Sequence, residues 1–184
     1  MRPRIVAIVL LLLACAVPGL AATHYVEVKG SAALNVADDG NTVYQAATSI
    51  SSPCSMGTAF ANAVAGDVVM FRGGTYNLGQ KPVIGGDTGY QPYMGPSNSG
   101  SAGAYITFQA YTGETPVING TAGGSGEAGF SYATVMGVSS KHYIIFDGFT
   151  IQADNGTGMG RMSLYGNDTY PNGVTYVTVQ NCTF

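Results

Sequence analysis

Apolar side chains recur at every second position in several stretches that resemble one another. The clearest stretch, residues 143–151, reads Tyr-Ile-Ile-Phe-Asp-Gly-Phe-Thr-Ile, and a relative follows 33 residues later at 176–184. Earlier copies begin at Tyr105 and at Val68, 38 and 75 residues before the first. Apolar residues with a period of two predict β-strands that bury one face. Four such copies indicate a repeat architecture in which like strands stack in parallel.

Each of the two later copies continues through small or amide residues into a second short run. Gly148 and Asn181 occupy this position, and both residue types favour a turn of the chain. Strand, corner and strand at intervals of 33 to 38 residues predict an all-β parallel solenoid with neighbouring strands about 4.8 Å apart. An antiparallel sandwich of hairpins is the alternative fold. The links between copies are longer than hairpin turns, which favours the solenoid.

A helical pattern occurs once, at about residues 55–65, immediately before the first strand copy. Ser55 is placed to cap its N-terminus and Gly66 to end it. The apolar residues fall at i, i+3, i+4, i+7 and i+8: Met56, Ala59, Phe60, Ala63 and Val64. This position predicts a capping helix that covers the open end of repeats spanning 67–184.

The composition excludes some classes of partner. Charged residues make up 9% of the 184 residues, against an average of about 25%, and 27 residues are Gly. The formal net charge is −3 and the chain has no basic cluster, so nucleic acid is not an expected partner. The length fits one domain, predicted to span 23–184.

The first 22 residues predict a signal peptide. Arg2 and Arg4 precede an apolar segment, residues 5–14, that is too short to span a bilayer, and small residues up to Ala22 offer a cleavage site. Secretion without a transmembrane segment is therefore expected. The alternative is a lipoprotein of the periplasm or outer membrane, because the sequence before Cys15 resembles a bacterial lipobox.

Two longer segments carry a resemblance to a known group. Residues 66–76 read Gly-Asp, an apolar run and then Gly-Gly-Thr-Tyr, and residues 105–120 have the pattern of a second repeat. Over residues 56–184 the chain resembles the pectate-lyase-like right-handed parallel β-helix superfamily. The resemblance implies the N-terminal part of a secreted lyase that cleaves acidic glycans such as pectate, alginate or chondroitin by β-elimination. It also implies a polysaccharide substrate and Ca²⁺ as a candidate cofactor. Since Phe184 falls inside a strand copy, the sequence predicts a β-helix truncated at its C-terminal end.

Catalytic residues are not assigned by the sequence. β-Elimination needs a base beside several carboxylates, and a base and two acids share an insert only at Arg161, Asp154 and Asp168. We therefore expect the fragment itself to be inactive. His24 and His142 lack neighbours at motif spacing, which favours surface or strand-edge roles.

Candidate substrate-binding residues lie in the long inserts between the strand copies, predicted to be poor in secondary structure: Tyr90, Tyr93, Tyr165 and Tyr170. Tyrosines beside a groove can stack on sugar rings, or they can simply cover neighbouring repeats. The alternative function is a non-catalytic surface protein, either an adhesin or a glycan-binding module. Cys54 and Cys182 are expected to be buried small hydrophobic residues rather than disulfide partners, because three strand spacings exceed the reach of a disulfide.

Overall fold

A computed structural model describes residues 21–28, 43–77, 92–119, 134–152, 160–165 and 173–184. The predicted signal peptide up to residue 20, together with the lipidation candidate Cys15, lies outside the described residues. Within them, no helix is long and apolar enough to cross a membrane.

Secondary structure in the described residues consists of strands, one α-helix and one short 3₁₀ helix (Tyr44–Ala46). The α-helix, α1, spans Met56–Asn62. The strands are β1 (Thr23–Val26), β2 (Val68–Phe71), β3 (Gly74–Asn77), β4 (Pro92–Met94), β5 (Ile106–Ala110), β6 (Pro116–Asn119), β7 (Thr134–Ser139), β8 (His142–Asp147), β9 (Thr150–Gln152), β10 (Gly160–Tyr165) and β11 (Thr175–Gln180).

The strands form three sheets, and every pair is parallel. The largest sheet has the order β1-β2-β5-β8-β11, and the two smaller sheets have the orders β10-β7-β4 and β3-β6-β9. From β2 onward, each sheet contains every third strand of the chain. Strands that are neighbours in a sheet are therefore separated in sequence by strands of the other two sheets.

The chain turns at both predicted corners. Gly148, between β8 and β9, has φ 80°, and Asn181, directly after β11, has φ 53°. Gly and Asn adopt this left-handed conformation at the lowest cost. A Cβ at position 148 would lie 3.0 Å from the Cβ of Ala110, which gives glycine a second, steric reason to be there.

The register of the five-stranded sheet confirms three of the four predicted copies. Ile106 pairs with Ile144, and Ile144 pairs with Val177. The copy at Val68 is shifted by two residues, because Phe108 pairs with Val69 rather than with Phe71. A slip of two residues keeps the same side chains on the buried face, so alternation alone could not detect it.

The core lies on the inner side of the five-stranded sheet. Ile106, Phe108, Ile144 and Phe146 are fully buried, and the rings of Phe108 and Phe146 stack with centroids 5.6 Å apart. Burying such side chains stabilises the fold by about 1.5–3 kcal/mol each.

Helix α1 begins as predicted and contributes to this core. The Ser55 side chain accepts a hydrogen bond from the Thr58 N–H at 3.2 Å, which confirms Ser55 as the N-cap. The centroid of the Phe60 ring lies 4.7 Å from that of Phe108. It lies 5.8 Å from the ring centroid of Phe71 and 6.4 Å from that of Phe146. The helix thus packs against three successive strands of the sheet.

The predicted fold class is wrong. The chain was expected to be an all-β right-handed parallel β-helix with a capping helix at about 55–65 and a truncated C-terminal end. The described residues instead form parallel sheets with a helix in their common core, an α/β-like arrangement. Alternation identifies the buried side of a strand, but it carries no information on how separate sheets are placed. The apolar face of the helix was assigned to an end, whereas Phe60 inserts among the strand phenylalanines.

Three strands were also missed. β4 and β10 lie in stretches predicted to be poor in secondary structure, and β7 was not distinguished as a strand. β4 contains a proline and has three residues, so its alternation is too short to recognise. In β7 the run Thr-Val-Met-Gly-Val-Ser has no simple alternation, and Val135, Met136 and Val138 are all buried.

We predict that Phe60→Ala lowers the free energy of unfolding by about 3–5 kcal/mol, because it removes a ring packed against three others. Chemical denaturation of the purified variants measures this. Val64→Ala is the matched control, since Val64 follows the same helix but is 48% exposed. Equal losses in the two variants would contradict a core position for Phe60.

Candidate ligand-binding face

Three polar side chains near the N-terminal strand form a buried cluster. His24, Tyr44 and Asp67 are 2–3% exposed, and the His24 and Tyr44 rings stack at 3.8 Å. The Tyr44 hydroxyl donates to Asp67 Oδ2 at 2.7 Å, and the same oxygen accepts the Val64 N–H at 3.0 Å. His24 Nδ1 lies 2.9 Å from the Tyr44 carbonyl oxygen, and because a carbonyl only accepts, Nδ1 is the donor.

This buried cluster is structural despite its catalytic-looking composition. Burial, and then the hydrogen bond to Asp67, raise the pKa of Tyr44 well above its usual range, so the phenol remains a donor. A substrate cannot reach side chains that are almost fully enclosed. The strand-edge role expected as an alternative for His24 agrees with its place in β1, an edge strand of the described sheet. The surface role is wrong, because the residue faces the interior beside the carboxylate of Asp67. Sequence spacing could not reveal this, since Asp67 is 43 residues away along the chain.

A second charged group joins β2 to the turn before β6. Arg72 donates to Glu114 through both Nε and one terminal nitrogen, the latter at 2.8 Å from Oε1. The Gly73 N–H donates to the same carboxylate, and the Arg72 guanidinium lies 5.2 Å from the centre of the Tyr111 ring. These contacts hold the pKa of Glu114 below its ordinary value, chiefly through the Arg72 hydrogen bond.

The outer face of the five-stranded sheet carries an aligned set of tyrosines, here called the tyrosine column: Tyr105, Tyr143 and Tyr176. Tyr105 immediately precedes β5, and the other two occupy matching positions in β8 and β11. The rings of Tyr105 and Tyr143 meet edge to face at 5.4 Å. Those of Tyr143 and Tyr176 are parallel within 5°, with centroids 4.5 Å apart. Because like strands pair in register, the column continues over three neighbouring strands.

The backbone is strained at two of the three members of the tyrosine column. Tyr143 has φ 56° and Tyr176 has φ 55°, a conformation that is unusual for bulky side chains and costs about 1–2 kcal/mol per residue. The backbone of a nearby loop supports it: the Gly100 N–H donates to the His142 carbonyl at 2.9 Å. A Cβ on Gly100 would lie 2.3 Å from the Tyr143 carbonyl oxygen, so only glycine fits there. Strain of this kind tends to occur at ligand-binding sites.

Further along the same strands lies a group of polar side chains, here called the amide row: Gln109, Asp147, Gln180 and Asn181. Gln109 and Gln180 flank Asp147 in the strand register. The Gln180 amide donates to Asp147 Oδ2 at 2.9 Å, and the Asn181 amide donates to Oδ1 at 2.7 Å. Each carboxylate oxygen therefore fixes one amide.

The tyrosine column and the amide row lie on one continuous surface. Along β8 they are separated by four residues, from Tyr143 to Asp147, which corresponds to about 13 Å at 3.3 Å per residue. Exposure increases toward β11, where Tyr176 is 62% exposed and Thr178 and Gln180 are also exposed. The face combines aromatic rings, hydroxyls, amides and a carboxylate at fixed spacing.

Two of the four tyrosines predicted to bind substrate lie within the described residues. Tyr93 falls in β4 and Tyr165 in β10, strands of one three-stranded sheet rather than loops. Tyr90 and Tyr170 lie outside the described residues. The three tyrosines of the column were not singled out as binding residues, although a Tyr at the start of three strand copies was a visible signal.

The insert that holds Arg161, Asp154 and Asp168 is described only in part. Arg161 lies in β10, and both aspartates fall outside the described residues. Within the described ranges, no group of three or more His, Cys, Asp or Glu side chains is placed to hold a metal ion. Ca²⁺ therefore stays a prediction. Cys54 and Cys182 are free thiols. Cys54 is buried as expected, whereas Cys182 is only partly buried, so the burial predicted for it is wrong.

Comparisons with known proteins add no relative: no protein-family model, curated protein or solved structure matches the chain. The resemblance to pectate-lyase-like proteins thus remains an expectation.

We predict that the Arg72–Glu114 pair stabilises the fold at neutral pH and loses this effect in acid. The folded-state pKa of Glu114 is lowered, below an unfolded value of about 4.3. Its contribution is therefore complete above the unfolded pKa and disappears as the pH falls through the folded pKa. Glu114→Gln should lower the melting temperature at neutral pH, and the difference from the parent protein should shrink in acid.

Thermal denaturation across the acidic range tests this pair. In an Arg72→Gln background, Glu114→Gln should lower the melting temperature by less, because the charged partner of Glu114 is absent. This smaller decrease should also vary less with pH. A pH-dependent loss of the same size in both backgrounds would show that Arg72 is not its source.

Proposed function

We propose that this protein binds polysaccharide and that the outer face of the five-stranded sheet is its binding surface. The observation that carries this proposal is the tyrosine column, held in a strained conformation and aligned with the amide row on one exposed face. The neighbouring strands hold the side chains of both groups at regular spacing.

The chemistry of this face matches that of sugars. A pyranose ring presents C–H groups on its faces and hydroxyls around its rim. Tyrosine offers an apolar ring and a polar tip, while amide and carboxylate groups make the directional hydrogen bonds that select a ligand. A flat array of such groups suits an extended polymer better than a small molecule, which needs a concave pocket.

The N-terminal sequence supports an extracellular role. The basic start and apolar segment within residues 1–22 predict secretion, and the lipobox-like sequence before Cys15 would give a lipid-anchored form. In either case the protein would meet polysaccharides outside the cytoplasm.

One observation that supports binding over catalysis is the state of Arg72, the base within residues 66–76. Its guanidinium is held by Glu114 through two nitrogens, and arginine does not release its proton in proteins. Arg72 is therefore unsuited to remove a proton from a substrate. The lyase activity expected from the resemblance is a separate prediction.

We predict that Tyr176→Ala weakens polysaccharide binding by roughly fivefold, the equivalent of about 1 kcal/mol for one lost stacking contact. Affinity electrophoresis on a panel of soluble polysaccharides gives the dissociation constants. Tyr176→Phe should retain most of the affinity because it keeps the ring.

Leu164→Ala is the matched control for this measurement. Leu164 is 53% exposed but belongs to β10, in another sheet. Melting temperatures check that each variant is folded. The proposed face is wrong if Tyr176→Ala and Leu164→Ala bind equally well on every polymer that the parent protein binds.

We predict no β-elimination by the 184-residue chain on pectate, alginate or chondroitin. An unsaturated uronate product absorbs in the ultraviolet, so a continuous absorbance assay with and without added Ca²⁺ detects turnover directly. Product formed by the parent protein would contradict this prediction. If the product persisted after Arg72→Gln, the base would be a residue other than Arg72.

A further inference from the structure

We propose that residues 97–104, here called the column loop, hold the tyrosine column in its ligand-binding conformation, and that Ser99 and Gly100 are positioning residues for the ligand. This inference rests on the proposed polysaccharide-binding function. It adds to that function the contacts that keep the three tyrosine rings aligned, and it connects them to the core.

The column loop begins at helix α1. The Ser97 N–H donates to the Phe60 carbonyl at 2.9 Å, and the Asn98 side-chain amide donates to the Ala63 carbonyl at 2.9 Å. Phe60 lies in the last turn of the helix and Ala63 is its C-cap, where carbonyl groups have no partner within the helix. Because Phe60 is fully buried, the start of the loop is attached to the core.

The next two residues of the loop hold His142 through both polar groups of its backbone. Ser99 Oγ accepts the His142 N–H at 3.2 Å, and the Gly100 N–H donates to the His142 carbonyl at 2.9 Å. That carbonyl belongs to the peptide group before Tyr143, whose orientation defines the φ of 56° at Tyr143. A Cβ at Gly100 would overlap the Tyr143 carbonyl oxygen, so the loop approaches this strand as closely as glycine allows.

The column loop also reaches the other two tyrosines. The His142 ring forms a hydrogen bond with the Thr175 hydroxyl at 2.9 Å, and Thr175 directly precedes Tyr176. At its other end the loop closes a turn, residues 101–104, with two backbone hydrogen bonds of 3.0 and 2.9 Å, and continues into Tyr105. Each tyrosine of the column therefore adjoins a residue that the loop holds directly or through His142.

Backbone strain explains why such support is needed. The left-handed conformation of Tyr143 and Tyr176 is unfavourable for these residue types, and it persists only where surrounding contacts enforce it. Without those contacts the backbone would relax and the two rings, now parallel within 5°, would lose their alignment. Binding sites depend on supporting contacts of this kind, because a ligand selects side chains that are already in place.

Three substitutions remove this support without changing a tyrosine. Ser99→Ala removes the acceptor for the His142 N–H. Thr175→Val removes the hydroxyl that meets the His142 ring and keeps the shape of the side chain. Gly100→Ala places a methyl group against the Tyr143 carbonyl oxygen.

Affinity electrophoresis of the full chain measures the consequence on xylan, mixed-linkage β-glucan, polygalacturonate and alginate. On every one of these polymers that the parent protein binds, we expect each variant to bind about fivefold more weakly. Ser99→Thr keeps the hydroxyl and should restore the affinity. Ser101→Ala, in the same loop, and Thr75→Val, in β3 of another sheet, change exposed side chains and should bind like the parent protein.

Near-ultraviolet circular dichroism gives a readout of ring positions that needs no ligand. The chain contains no Trp, so the signal reports chiefly on the packing of tyrosine side chains. Ser99→Ala and Thr175→Val should change this spectrum, whereas Ser101→Ala and Thr75→Val should not.

The outcomes separate this inference from the proposed function. An unchanged spectrum in Ser99→Ala and Thr175→Val would overturn the positioning role, whichever polymer the parent protein binds. A changed spectrum with parent-like affinity would overturn the importance of that positioning for the ligand. If the parent protein binds none of the four polymers, the proposed function is wrong, and this inference with it. If Gly100→Ala does not fold, the other two variants decide.

Discussion

The register of the parallel pairs in the five-stranded sheet is the constraint on which the rest of the structure depends. It places Phe108 beside Phe146, and Ile106 beside Ile144, on the buried side. The same register must align the outward side chains, because successive residues of a strand point to opposite faces. The tyrosine column and the amide row are therefore the outer counterparts of the core, and a shift in pairing that damaged one would misalign the other.

Helix α1 and the buried cluster fix the N-terminal end of this sheet. Phe60 packs against the phenylalanines of β2, β5 and β8, which connects the helix to three strands at once. Asp67 accepts hydrogen bonds from Tyr44 and from the Val64 N–H, which fixes the turn that leads from the helix into β2. Since an unpaired buried carboxylate is costly, these bonds are a condition for burying Asp67 at all.

The sequence allowed the strand faces and the local turns to be predicted, because these depend on neighbouring residues. Ser55 as the N-cap and Gly148 as a corner are local features of this kind. The register of β2 and the place of Phe60 depend on packing between residues far apart in the chain, and both predictions were wrong. The prediction of the fold class was wrong for the same reason, because alternation indicates which side of a strand is buried but not what packs against that side.

The candidate site could be predicted even less well. The tyrosines of the column were visible at the start of three copies, but their φ values of 55–56° depend on the backbone conformation, which residue types do not encode. The pairing of Asp147 with Gln180 and Asn181 requires the register of β8 and β11. Lone amides in a strand pattern otherwise suggest only a solvated surface.

The energetics of Tyr176 favour a role in binding over a role in stability. Its left-handed backbone costs about 1–2 kcal/mol, and its ring contact with Tyr143 returns about 0.5–1.5 kcal/mol. The two terms nearly cancel, and a side chain that is 62% exposed adds little through burial. A residue such as glycine would adopt the same backbone conformation without strain. The fold therefore gains little from a tyrosine at this position, which supports the proposed role of the tyrosine column in binding.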